Sequence, residues 1–140
     1  MKLKSFLPLL IIVLTFGCAK NPNTFLPHIN GYWEIDEVTL SDGTKRDYTH
    51  NDTIDYIELN DSLTGFRKKL KPNFSGTYQT SSDAEQVKAV FENDSLFLEY
   101  TTPYNTWKET VLDATENRLL ILNANKVQYL YKRYQPLDLN

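Results

Sequence analysis

Gln86-Val87-Lys88-Ala89-Val90-Phe91-Glu92-Asn93-Asp94-Ser95-Leu96-Phe97-Leu98-Glu99-Tyr100-Thr101 is the stretch that decides the fold. Val87, Ala89 and Phe91 alternate with Gln86 and Lys88, and only Val90 breaks the second face. Beyond Asn93-Asp94, Leu96, Leu98 and Tyr100 alternate with Phe97 and Glu99. Apolar residues at every second position line one face of a strand. Asn and Asp tolerate the left-handed backbone of a tight hairpin. The stretch therefore predicts two antiparallel strands. Ala84, Val87 and Phe91 also stand at helix spacing, but Val and Phe favour strand and turn signals flank them.

The same pattern extends in both directions. Strands are predicted over Tyr32–Leu40, Ile54–Leu59, Phe66–Lys71, Phe74–Thr80, Gln86–Glu92, Leu96–Thr101, Trp107–Leu112, Leu119–Leu122 and Val127–Tyr134. Turn residues separate them, among them Ser41-Asp42-Gly43, Pro72-Asn73 and Ser81-Ser82-Asp83. Asn60-Asp61-Ser62 repeats the Asn-Asp-Ser of residues 93–95 and predicts a similar hairpin. In the last strand Val127, Tyr129, Tyr131 and Arg133 share a face. The expected class is all-β: an antiparallel up-and-down meander of 8–9 strands that closes into a small barrel.

The N-terminus carries an address. Lys2 and Lys4 precede an apolar run from Leu7 to Phe16, and Gly17-Cys18 follows. This order reads as a secretory signal, too short to span a bilayer as a helix. Leu14-Thr15-Phe16-Gly17-Cys18 resembles the cleavage site of a bacterial lipoprotein signal. The resemblance implies a signal peptide over 1–17, with Cys18 as the acylated first residue of what remains. Several acyl chains there hold a protein on a membrane far more firmly than one. Cys18 is the single cysteine, so no disulfide forms within the chain. Residues 18–29, rich in Asn and Pro, are expected to be a flexible tether, 30–135 the barrel and 136–140 a tail. Removing Lys2 and Lys4, and no acid, takes the net charge from -3 to -5. That balance argues against nucleic acid as a partner. A charged share of 24% is ordinary for a folded domain.

Gly31-Tyr32-Trp33 opens the first strand, and Lys132-Arg133 lies near the end of the last. This resembles the lipocalin pattern of a Gly-x-Trp in the first strand and a late basic residue packed over the Trp. It is similar above all to the short lipocalin-like lipoproteins of Bacteroidetes-type bacteria. The resemblance implies barrel closure through Gly31, Trp33 and Arg133, with Arg133 lying across the Trp33 ring.

Chemistry-bearing motifs are sparse. His28 and His50 stand apart, and neither a metal-ligand cluster nor a nucleophile elbow is visible. No catalytic residue, metal or cofactor is expected, and the protein is read as a non-enzyme. Arg67, Lys69 and Lys71 would share one face of a strand. They fit an edge strand guarded by cations better than a contact to anionic headgroups. Tyr56, Phe66, Tyr78, Phe91, Tyr100, Trp107, Tyr129 and Tyr131 are the candidate lining of a ligand cavity. The function expected is binding of a small apolar or amphipathic molecule by a lipid-anchored protein of the cell envelope, at the bacterial outer membrane. The alternative is a filled barrel that serves as a structural or interaction module for an envelope protein partner.

Overall fold

The computed structural model of the chain describes residues 20–73 and 75–136. Nine strands follow in order: β1 (Gly31–Thr39), β2 (Lys45–Asp47), β3 (Ile54–Leu59), β4 (Thr64–Pro72), β5 (Tyr78–Glu92), β6 (Ser95–Thr101), β7 (Thr106–Ala114), β8 (Arg118–Leu122) and β9 (Gln128–Arg133). From β3 onward each pairs antiparallel with the next, and β1 pairs with both β3 and β9. Those eight form a closed ring, and β2 pairs only with the far end of β1. Closure leaves the ring no free edge. The antiparallel meander and its closure are as the alternation predicts.

Period-2 alternation separates inside from outside. Leu96, Leu98 and Tyr100 of β6 are buried, and so are Leu119 and Ile121 of β8 and Val87 and Ala89 of β5. The β5–β6 hairpin turns on Asn93 and Asp94 alone, with φ of 49° and 61°, between the paired Glu92 and Ser95. The second Asn-Asp-Ser does not repeat this hairpin. There Asn60 accepts through its side chain from the Ser62 and Thr64 amides, and Leu63 takes the left-handed position at φ 61°.

Two strand expectations change. The predicted strands over 74–80 and 86–92 are one strand, β5. Its partners jump from Lys68↔Ala84 to Leu70↔Thr80, so 81–83 form an irregularity in the ladder instead of a turn. Asn73 organises the actual hairpin tip by accepting from the Ser75 and Thr77 amides. Nor is β4 an edge strand: it lies between β3 and β5. Its inward face carries Arg67, Lys69 and Lys71, which point to the barrel mouth.

The segment before β1 is not a tether over residues 21–29. It forms two 3-10 turns, Pro22–Thr24 and Leu26–His28, each with a proline early in the turn. Asn21 caps the first by accepting from the Asn23 amide at 3.0 Å. Phe25 (3% exposed) and Ile29 (0%) enter the core beside Trp33, Leu96 and Leu119. Proline pre-sets the turn geometry, and two apolar residues suffice to plug one end of the barrel. The barrel therefore has a closed end and, opposite it, an open mouth. At the closed end lie the plug and the turns at 60–63, 93–94 and 115–117. At the mouth lie the loops 40–53, 102–105 and 123–127.

Candidate functional site

The closed end is built around Trp33, fully buried on β1 and paired in register with Arg133 on β9. The Trp33 Nε1 donates to the Ile29 carbonyl at 2.9 Å. The Arg133 guanidinium carbon lies 3.7 Å from the Trp33 ring centroid. Its Nη1 donates to the Asn30 carbonyl at 2.7 Å, Nη2 to the His28 carbonyl at 3.1 Å and Nε to the Glu116 carbonyl at 2.8 Å. A partly desolvated cation over an indole contributes on the order of 1–2 kcal/mol, and the three carbonyls fix the guanidinium over the ring. Burial holds the Arg133 pKa below its ordinary value. Gly31 has φ +130°, and a Cβ there would strike Arg133 Nη1, so glycine leaves the cation its place.

Midway up the barrel the filling turns polar. Arg67 Nε donates to Glu85 at 2.5 Å and its Nη1 reaches Glu109 at 3.5 Å, while its guanidinium lies 4.1 Å from the Tyr100 ring centroid. Trp107 stacks on Tyr100 at 5.2 Å and donates Nε1 to Glu109 at 3.3 Å. Beside them Lys69 pairs with the buried Asp55 at 2.6 Å. Burial raises the pKa of Tyr100, Glu109 and Tyr131, and for Glu109 the Arg67 charge opposes it in part. Burial alone would lower the pKa of Arg67, yet Tyr100, Glu85, Asp55 and Glu109 together hold it above the ordinary value. The void left among these side chains is about 10 Å³. That is at most the roughly 10–15 Å³ of centre space that a single water needs, so this part of the barrel is essentially filled.

Above the network, on the side of the mouth formed by β4, β5 and the 102–104 loop, lies an open cup of about 1110 Å³. Arg67, Lys69, Lys71, Thr53, Glu85 and Tyr104 are among its walls. Among the described residues Arg67 Nη2 makes no hydrogen bond, and it is not a buried orphan, so it keeps some access to water, and Arg67 is one of the cup's walls. Lys71 has no ion-pair partner among the described residues. Tyr104 at the rim is 96% exposed.

Residues 29–121 match the lipocalin-like domain. The chain belongs to the lipocalin-like family. A lipocalin-like protein from Bacteroides uniformis shares its fold at TM-score 0.50 and 9% identity, over 76% of this chain and 99% of that one. An uncharacterized protein from Bacteroides eggerthii aligns at TM-score 0.47 and 13% identity, over 75% and 98%. No curated protein matches the chain.

The lipocalin-like barrel divides the predicted cavity aromatics. Tyr100, Trp107, Tyr129 and Tyr131 lie on the inward face, where Tyr100 and Tyr131 are buried and the other two pack against the core. Tyr56, Phe66 and Tyr78 do not line the interior. They lie outside with Tyr32, which stacks on Tyr56 at 4.6 Å and on Tyr78 at 5.3 Å. Tyr78 belongs to β5, so the tip of the β4–β5 hairpin curls back across β3 to reach β1. This covers Ile54 and Leu70, which are 1% and 5% exposed. Phe91 sits at the β5–β6 turn, 41% exposed. Strand parity carried the signal: Tyr56 lies between the inward Asp55 and Ile57. Glu85 and Tyr104 were missed, since neither has an apolar neighbour pattern that marks a wall. Cys18 lies outside the described residues.

Proposed function

We propose that this lipocalin-like protein is an acylated lipoprotein of the bacterial outer membrane whose barrel mouth holds a small amphipathic molecule, without catalysis. The carrying observation is the cup of about 1110 Å³ above a filled core. A wholly apolar molecule finds no dry interior, because charged groups occupy the floor. A polar or anionic end would meet Arg67 Nη2 and Lys71, and a flat apolar part would meet Tyr104 at the rim. The anchor rests on the signal-like residues 1–17 and on Cys18 behind them. A second reading, an interaction module for an envelope partner, is favoured by the filled lower barrel itself.

Native mass spectrometry of the full chain extracted from its own host tests the binder. An adduct beyond the acyl anchor is expected, and Lys71→Ala combined with Tyr104→Ala should lose it. A bare acylated chain would leave the interaction module as the better reading.

A further inference from the structure

We infer that the closed end of the barrel is the membrane-facing surface, so that the cup opens away from the bilayer. This rests on the lipid-anchor reading and goes beyond it. One residue separates Cys18 from Lys20, and two residues of chain span at most about 7 Å. Lys20 Nζ pairs with Asp113 Oδ2 at 2.8 Å, and Asp113 is 7% exposed near the end of β7. From Lys20 onward the chain is held. Asn21 caps the first 3-10 turn, Thr24 Oγ1 donates to the Asn21 carbonyl at 2.6 Å, and Phe25 and Ile29 are core.

A free tether of eleven flexible residues would have a mean span of roughly 17–20 Å and would let the domain tumble. No such slack exists between the described plug and an acylated Cys18. The acyl chains must then leave the protein at the rim of the closed end. Phe91, a large exposed apolar side chain, stands at a turn of that same end and suits the headgroup boundary. The mouth lies at the other end of strands such as the seven-residue β6. With strands rising about 3.3 Å per residue and tilted about 40°, the two ends differ in height by roughly 20 Å. The cup's ligand would therefore arrive from the aqueous side and not from the leaflet beneath the protein.

Energy transfer on vesicles tests the orientation. The full acylated chain carries a dye on Asp61→Cys at the closed end or on Tyr104→Cys at the rim. Acylated Cys18 has no free thiol to label. Vesicles of phosphatidylethanolamine and phosphatidylglycerol carry an acceptor on their headgroups. Transfer from the residue 61 dye should exceed that from the residue 104 dye by at least about twofold, given that height difference. A flexible linker of about ten residues inserted between Ala19 and Lys20 should erase most of the contrast. Equal transfer without the linker, or stronger transfer from residue 104, overturns the orientation while the anchor stands. If Cys18→Ser floats with vesicles as well as the wild type, or the wild type does not float, the anchor reading fails and the orientation falls with it.

Discussion

The two ends of this barrel hold their cations in opposite ways. At the closed end Arg133 makes no ion pair among the described residues: it lies on an indole and donates to three backbone carbonyls, with the Glu116 charge acting only at a distance. Towards the mouth Arg67 and Lys69 are held by Glu85, Glu109 and Asp55. Backbone carbonyls of the plug and the β7–β8 turn are fixed in place, so they position Arg133 without a contacting carboxylate. Carboxylates are tolerated where water from the cup still reaches the network. Stability is thus concentrated at the closed end, and polar surface that a ligand can reorganise is concentrated at the mouth.

The sharpest way to break this contrast is to remove the plug. A chain starting at Asn30 loses Phe25, Ile29, the Ile29 carbonyl that accepts from Trp33 and, of the three carbonyls that hold Arg133, that of His28. Two emptied core positions together cost about 5 kcal/mol or more, which approaches the whole stability of a small domain. Circular dichroism should show no cooperative melt near that of the longer domain, and an unchanged melting temperature would refute a plug that carries load. Next comes Trp33→Ala, expected to cost ~3–5 kcal/mol. Arg133→Ala should cost less, and a denaturant-based double-mutant cycle should find the pair non-additive by on the order of 1 kcal/mol. Additive losses would mean that the cation and the ring stabilise the closed end independently.

At the network the effect depends on pH. The native Glu109 carboxyl is shifted above its ordinary value, chiefly by burial. It therefore binds its proton more tightly in the folded than in the unfolded chain. Its contribution to stability is full below the ordinary carboxylate value and is lost as pH rises through the raised native one. Glu109→Gln should accordingly gain stability relative to the wild type as pH rises through that window. Urea melts across the acid range check this, and a constant difference between the two proteins would contradict it. The smallest effect is expected at the cup wall, where Lys71→Ala should change stability by no more than ~0.5 kcal/mol.

Most of the barrel was legible because alternation is a local signal. The inward rows of β5, β6, β8 and β9 follow directly from it. What escaped has specific causes. Strand β2 is Lys45-Arg46-Asp47, fully exposed, with no apolar residue to announce it. The plug has too few apolar residues to show a period, and its burial depends on an end of the barrel that exists only in three dimensions. Ser81-Ser82-Asp83 looks like a turn, yet the ladder absorbs it as an irregularity. The Arg67-Lys69-Lys71 face was visible, but its side of the sheet was misjudged because β4 was read as an edge. The outer stack of Tyr32, Tyr56 and Tyr78 depends on a hairpin that curls across two strands, which no window of sequence contains.

Arg133 donates to the carbonyl of Asn30, 103 residues earlier in the chain. The hairpins from β3 to β9 can form from neighbouring residues, in any order and early. The β1–β9 seam cannot, since it must close the largest loop the domain contains. A chain emerging N-terminus first therefore holds its plug segment and β1 without their final partner until the last strand appears. During that interval β1 offers an unpaired edge to any passing strand. A chain cut short before Gln128 would keep that edge permanently, and would be prone to join its neighbours instead of itself.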